Sequence, residues 1–267
     1  MKSLYRRLLL LSIPLLCGFL LFYVVPFFSV LRYALIESPF KPHFVGLKNI
    51  LDVLGNKYFR LALKNTALFA AVAVPLITLL SLLLSIAFAE CSGHFGWLIR
   101  LMILPLLMPS AGILPGFQAL PLMERIMKEL PVLAVHILFL WRNLGFFTIL
   151  ITGAVSLLPK NCYEAAQLDG ASLFRRHIHI TLPGILPMLS FAVTLETVYS
   201  LRVFREVYLL YGSYPTNGVY LVQHYMNNHY MKLNFHTVAS AALIFAVLVG
   251  VISYLGFLFS RKAEDAL

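Results

Sequence analysis

Charge is scarce in this chain: Asp, Glu, Lys and Arg make up only 12% of it, while 60% is hydrophobic. A soluble domain carries about 25% charged residues, so this composition, with a mean hydropathy of +0.86, points to a membrane protein. Cysteine is also sparse. Cys17, Cys91 and Cys162 show neither the pairing nor the spacing of a disulfide framework or a metal site. Acidic residues number 11 against 21 basic ones, giving a formal net charge of +10. The basic residues are dispersed with no aromatic-interleaved patch, which argues against nucleic acid and for anionic lipid head groups. Catalytic signatures are lacking too: no G-x-x-x-x-G-K-[ST], no H-E-x-x-H and no G-x-S-x-G. His177 and His179 stand two apart and would diverge on a helix, so no metal pair is expected there.

What the chain does have is long uncharged runs, and its length suits one integral domain, 1–267, of about six spans at roughly 20 apolar residues each. The first run, 8–31, follows Lys2, Arg6 and Arg7; it is long for a signal peptide and reads as a first span. A polar connection over 37–64 leaves room for an interfacial helix around Leu47 to Leu54. The second span lies within 65–89. The third, within 101–123, holds Pro105, Pro109, Pro115 and Pro121, too many for one regular helix. Such breaks survive in a bilayer where protein or a water-filled cavity satisfies the freed groups. A fourth span runs from about Pro131 to Leu158, a fifth begins near Gly184, and a sixth occupies about 237–260. Small residues at Ala239 to Ala242 permit close helix packing in the sixth. In the outer loop 212–236, His224, Asn227, Asn228 and His229 read as solvated residues or as contacts for a partner.

Between the fourth and fifth spans lies a polar loop, 159–183. Glu164 to Asp169 reads as a short helix, with Glu164 near its start, where the helix dipole favours negative charge. Gly170 is placed to end it, and Ala171 to Ile178 can form a second short helix before Pro183. The pattern Glu164-Ala165-Ala166, then Gly170, then Ile180-x-Leu182-Pro183 resembles the signature of permease subunits of binding-protein-dependent ABC importers. Asp169-Gly170-Ala171-Ser172 and Pro187 resemble the carbohydrate-importing branch, as do Phe204-x-x-Val207-Tyr208-Leu209-Leu210 and Val238 to Leu243. The outer loop departs from that pattern, reading Gly212-Ser213-Tyr214-Pro215.

The resemblance implies an all-α, six-span fold whose loop is a coupling helix docked in a groove of a cytoplasmic ATPase. Glu164, Ala165, Ala166, Asp169, Gly170, Ala171, Ile180, Leu182 and Pro183 would form that dock. It also implies a second, similar permease, two ATP-binding subunits that hold ATP and Mg, and an extracytoplasmic sugar-binding protein. This chain would then bind no cofactor and hydrolyse nothing. Both termini would be cytoplasmic in the inner membrane of a prokaryote, since the coupling loop must face the ATPase; the positive-inside bias itself barely discriminates.

Charges at bilayer depth are costly and normally face a cavity or a partner. Arg142 and Asn143 interrupt the fourth span; Glu196, Tyr199, Arg202, Arg205 and Glu206 fall in the fifth. They read either as structural pairs or as a polar path suited to a sugar, which needs directional hydrogen bonds and an aromatic face. Arg202 and Glu206 are four apart and are expected to pair, with Arg142 beside Glu196 and Arg205 left over. Two other readings of the cargo and drive stay open: an ion-gradient-driven secondary transporter, and an ABC permease for a non-sugar solute.

Overall fold

The computed structural model describes residues 12–38, 42–90, 97 and 101–265. Cys91 and the basic cluster before the first span lie outside them. Among the described residues the secondary structure is helical, with one isolated bridge between Ile36 and Phe44. In chain order the helices are α1 (Ser12–Leu35), α2 (Lys48–Gly55), α3 (Lys57–Glu90), α4 (Leu104–Leu107), α5 (Ser110–Gln118), α6 (Pro121–Glu129) and α7 (Pro131–Ser156). They continue as α8 (Lys160–Leu168), α9 (Leu173–Gly184), α10 (Leu186–Ser200), α11 (Phe204–Tyr211), α12 (Val222–Met231) and α13 (Phe235–Asp265).

Four of these, α1, α3, α7 and α13, are long and apolar enough to cross a membrane. A fifth crossing is available as a bent pair, α9 with α10–α11, folded by 72°. The bend falls at Ile185, where Pro187 cannot donate to the carbonyl four residues back. The stretch expected as the third span is not one helix but three short ones, α4 to α6. Each begins at or beside a proline, as the missing donors require. Two helices carry π turns just ahead of prolines, Leu20–Val24 before Pro26 and His177–Thr181 before Pro183. Widening the turn there accommodates a residue that cannot close the regular ladder.

The contacts sort the chain into two units. One comprises Met1–Arg60 and Tyr225–Val247. Within it, the Asn49 amide donates to the carbonyls of Ala34 (3.0 Å) and Ile36 (2.8 Å) and so satisfies orphan groups at the end of α1. The predicted interfacial helix is present as α2. The Phe59 and Tyr225 rings meet edge-on at 5.3 Å, both buried. Ala239, Ser240 and Ala241 are also buried, as their small size permits.

The other unit comprises Leu61–His224 and Leu248–Leu267. Helix α7 is its spine, contributing Val135, Phe139, Phe147, Ile151 and Val155 to a core shared with Phe69, Ala73 and Ile77 of α3. Ser85 of α3 donates to the Thr148 carbonyl of α7 at 3.0 Å. A Cβ at Gly145 would collide with the backbone of Met102, so glycine is what admits the segment before α4 against α7. The start of α12 is anchored through backbone groups: Thr66 accepts from Val222 N–H at 3.2 Å, and His224 Nδ1 accepts from Leu221 N–H at 3.3 Å. His224 is fully buried, and burial pushes its imidazole down to about 4, so it stays neutral and can accept. This corrects the solvated reading of 212–236: His224 and Asn228 are buried within a helix.

Candidate functional site

Two groups of residues stand out, and both lie in the second unit. The first is the loop between α7 and α10. Pro159 sets the start of α8, so the helix begins at Lys160 and Glu164 lies at its middle rather than near its N-terminus. The expected dipole role of Glu164 is therefore withdrawn; its carboxylate is simply exposed on the surface of α8. Gly170, at φ +75°, ends the helix in a complete Schellman turn: Ala171 N–H donates to Ala166 (2.9 Å) and Gly170 N–H to Gln167 (3.1 Å). Ala165 and Asp169 are exposed with Glu164, and Ala166 is half-buried. Leu168 is 90% exposed and Phe174 74%, two large apolar side chains left mostly uncovered among the described residues.

The loop is tied to the spans by polar contacts on Thr181, which is buried. Its hydroxyl meets the Tyr163 hydroxyl of α8 at 2.6 Å and His177 Nδ1 at 2.9 Å. His177 Nε2 in turn lies 3.2 Å from Glu90, the last residue of α3. Thus α8, α9 and α3 are linked through four side chains. His177 is thereby a structural tie, a role its sequence neighbourhood did not suggest. Leu182 and Pro183 sit at the π-to-α junction, exposed, with Ile180 half-buried beside them.

The second group surrounds a cavity of about 290 Å³ lined by Leu106, Phe139, Arg142, Asn143, Tyr199, Arg202, Val203 and Glu206. Four of the six residues expected to form a polar path therefore share one cavity. The Arg142 guanidinium pairs with Glu206, and Ser110 bridges them, donating to Glu206 at 3.0 Å. Asn143 donates to the Phe139 carbonyl at 2.8 Å. The Tyr199 ring stacks on Phe146 at 6.0 Å and meets Phe147 edge-on at 5.8 Å, which fixes its face.

The expected pairing is overturned in both halves. Arg202 and Glu206 do not pair, because the chain tightens between α10 and α11, with Arg202 N–H donating to Tyr199 only three residues back. That change of pitch breaks the regular four-residue spacing between them, and both reach the same cavity without pairing. Glu196 does not meet Arg142 either: it is fully buried and accepts from Thr78 of α3. Arg205 is exposed and outside the cavity lining. No group of three or more potential metal ligands occurs among the described residues.

Comparison with known proteins places the chain in a family. The chain is 29% identical over 262 residues to the trehalose/maltose transport system permease protein MalF of Thermococcus litoralis, covering 90% of this chain and 88% of that one. It is 27% identical over 290 residues to the diacetylchitobiose uptake system permease protein NgcF of Streptomyces coelicolor, covering 94% and 81%. In fold it matches a chain of a bacterial ABC transporter involved in the import of the acidic polysaccharide alginate, with TM-score 0.81, 21% identity and 98% of each chain covered. Residues 8–264 match the family described as binding-protein-dependent transport system inner membrane component. With its apolar spans, its exposed loop helix and that match, the chain belongs to the inner-membrane permeases of binding-protein-dependent transport systems.

Proposed function

We propose that this permease carries a saccharide through the cavity between α4, α7 and α10–α11, driven by ATPase subunits that dock on α8. The observation that carries the reading is the conjunction of an exposed, glycine-terminated helix with a separate polar cavity in the same unit. Helix α8 presents small alanines, a free carboxylate and the uncovered side chain of Leu168, with Phe174 exposed beside it at the start of α9, the features of a helix that lies in a partner's groove. The names of the related proteins, transporters of trehalose, maltose and diacetylchitobiose, support a saccharide as cargo. A second, homologous permease would complete the path, and an extracytoplasmic binding protein would deliver the sugar. ATP and Mg stay on the partner ATPase; with α4–α6 as a sixth, broken crossing beside the five of the fold, both termini lie on the cytoplasmic side.

In this scheme closure of the ATPase dimer moves α8. The Tyr163–Thr181–His177–Glu90 contacts pass the movement to α9 and α3, shifting the balance between inward- and outward-facing states. The test is purification of the tagged chain from its native membrane. A P-loop ATPase should copurify, and its hydrolysis in proteoliposomes should rise with saccharide and binding protein. Solute uptake that persists after the ATPase is stripped away would overturn the proposal in favour of an ion-driven carrier.

A further inference from the structure

We infer that the cavity contains an anion-reading position, Arg202, which selects saccharides bearing a carboxylate; this rests on the saccharide reading above. Three charged side chains line the cavity: Arg142, Arg202 and Glu206. Arg142 and Glu206 are committed to each other, with side chains only 15% and 13% exposed, and Ser110 completes their coordination. Glu196, the remaining carboxylate of the fifth span, is turned away onto Thr78. Arg202 therefore stands in the cavity with no carboxylate partner among the described residues, and its side chain is exposed. The cavity carries one net positive charge.

A cation at membrane depth is expensive and normally faces a cavity or a partner, where it marks a substrate path. The backbone around Arg202 is fixed by the tightened turn between α10 and α11, so its position does not depend on a flexible loop. Tyr199 also lines the cavity and brings an aromatic ring and a hydroxyl to it. Guanidinium is planar and binds a carboxylate through two parallel hydrogen bonds, whereas a neutral hydroxyl takes one. A uronic acid placed with its ring on Tyr199 and its carboxylate on Arg202 satisfies both. Arg205 has the same chemistry but lies outside this lining, which makes it the control position.

The experiment uses the complete transporter in proteoliposomes with two probes, digalacturonate and its carboxyl-reduced neutral counterpart. Saccharide-stimulated ATP hydrolysis is read in the same preparation. The wild type should take up the acidic probe. R202Q should lower that uptake about ten- to a hundredfold, the span expected for a lost charge-assisted pair, and lower any neutral uptake far less. R202K, which keeps the charge but not the fork, should fall between them, and R205Q should match the wild type. Uptake of the neutral probe alone overturns the anion site while leaving the importer reading intact. Equal loss of both probes in R202Q, with normal amounts of assembled complex, also overturns it and assigns Arg202 to general hydroxyl contact. No change in R202Q overturns it in favour of a counter-charge from lipid or from the second permease. Uptake of neither probe by the wild type overturns it as well, and hydrolysis then reports whether the importer reading fails with it.

Discussion

The Arg142–Glu206 pair shows how much a single contact decides. Both side chains are largely buried at the cavity wall, so removing one partner strands the other's charge in a medium that solvates it poorly. A buried pair of this kind contributes little net stability compared with an apolar replacement, yet breaking it costs about 3–5 kcal/mol. E206Q is therefore expected to lower the thermal unfolding midpoint of the purified complex markedly. The double variant R142Q/E206Q should recover most of that loss, because neither charge is then left alone. If the double variant is as unstable as the sum of the two singles, the two side chains do not interact in the folded complex.

At the scale of the element, α8 depends on how it ends. Gly170 lies at φ +75° with open space around the position of a Cβ, so a larger side chain meets no steric obstacle and the cost of substitution is backbone strain alone. For a β-branched residue that cost is at least about 1–2 kcal/mol, enough to disrupt the Schellman turn and redirect Ala171 and Ser172. Gly170→Val should leave the chain inserted but reduce the response of ATP hydrolysis to saccharide and binding protein. Gly170→Asn, which tolerates the left-handed region, should retain most of it. Equal uptake by wild type and Gly170→Val would remove α8 from the coupling role.

For the whole molecule sidedness follows from what α8 meets, because apolar length identifies spans without orienting them. If α8 meets a cytoplasmic ATPase, exposed Cys162 on that helix lies on the cytoplasmic face. In a C17S/C91S background, a membrane-impermeant thiol reagent should modify Cys162 in inverted vesicles and miss it in intact cells. Labelling from outside would invert the topology and place the ATPase dock on the wrong face. The outward surfaces of α1 and α13 agree with a membrane setting: none of their most apolar window is buried within the chain.

Much of this was legible in the sequence because it depends on local chemistry. Uncharged runs located α1, α3, α7 and α13; the prolines at 105, 109, 115 and 121 forbade a continuous third span; Gly170 marked the end of α8. Each follows from hydration, from a missing donor or from backbone sterics, which act over one turn of chain. Pairing and burial were not legible, since they depend on neighbours distant in sequence. That Glu206 meets Arg142 from 64 residues away, that Glu196 turns to Thr78, and that His177 joins Glu90 were all decided by the packing of α3, α7 and α9–α11. The helical spacing of Arg202 and Glu206 failed because it assumes an unbroken helix, and the tightened turn between α10 and α11 removed that assumption. Composition and short-range patterns determined that this is a helical membrane protein with an exposed loop helix, and the residues of that loop carried the resemblance to permeases. Only the tertiary structure decided which charges cancel and which one is left facing the cavity, because in a low dielectric that outcome is fixed by position rather than by count.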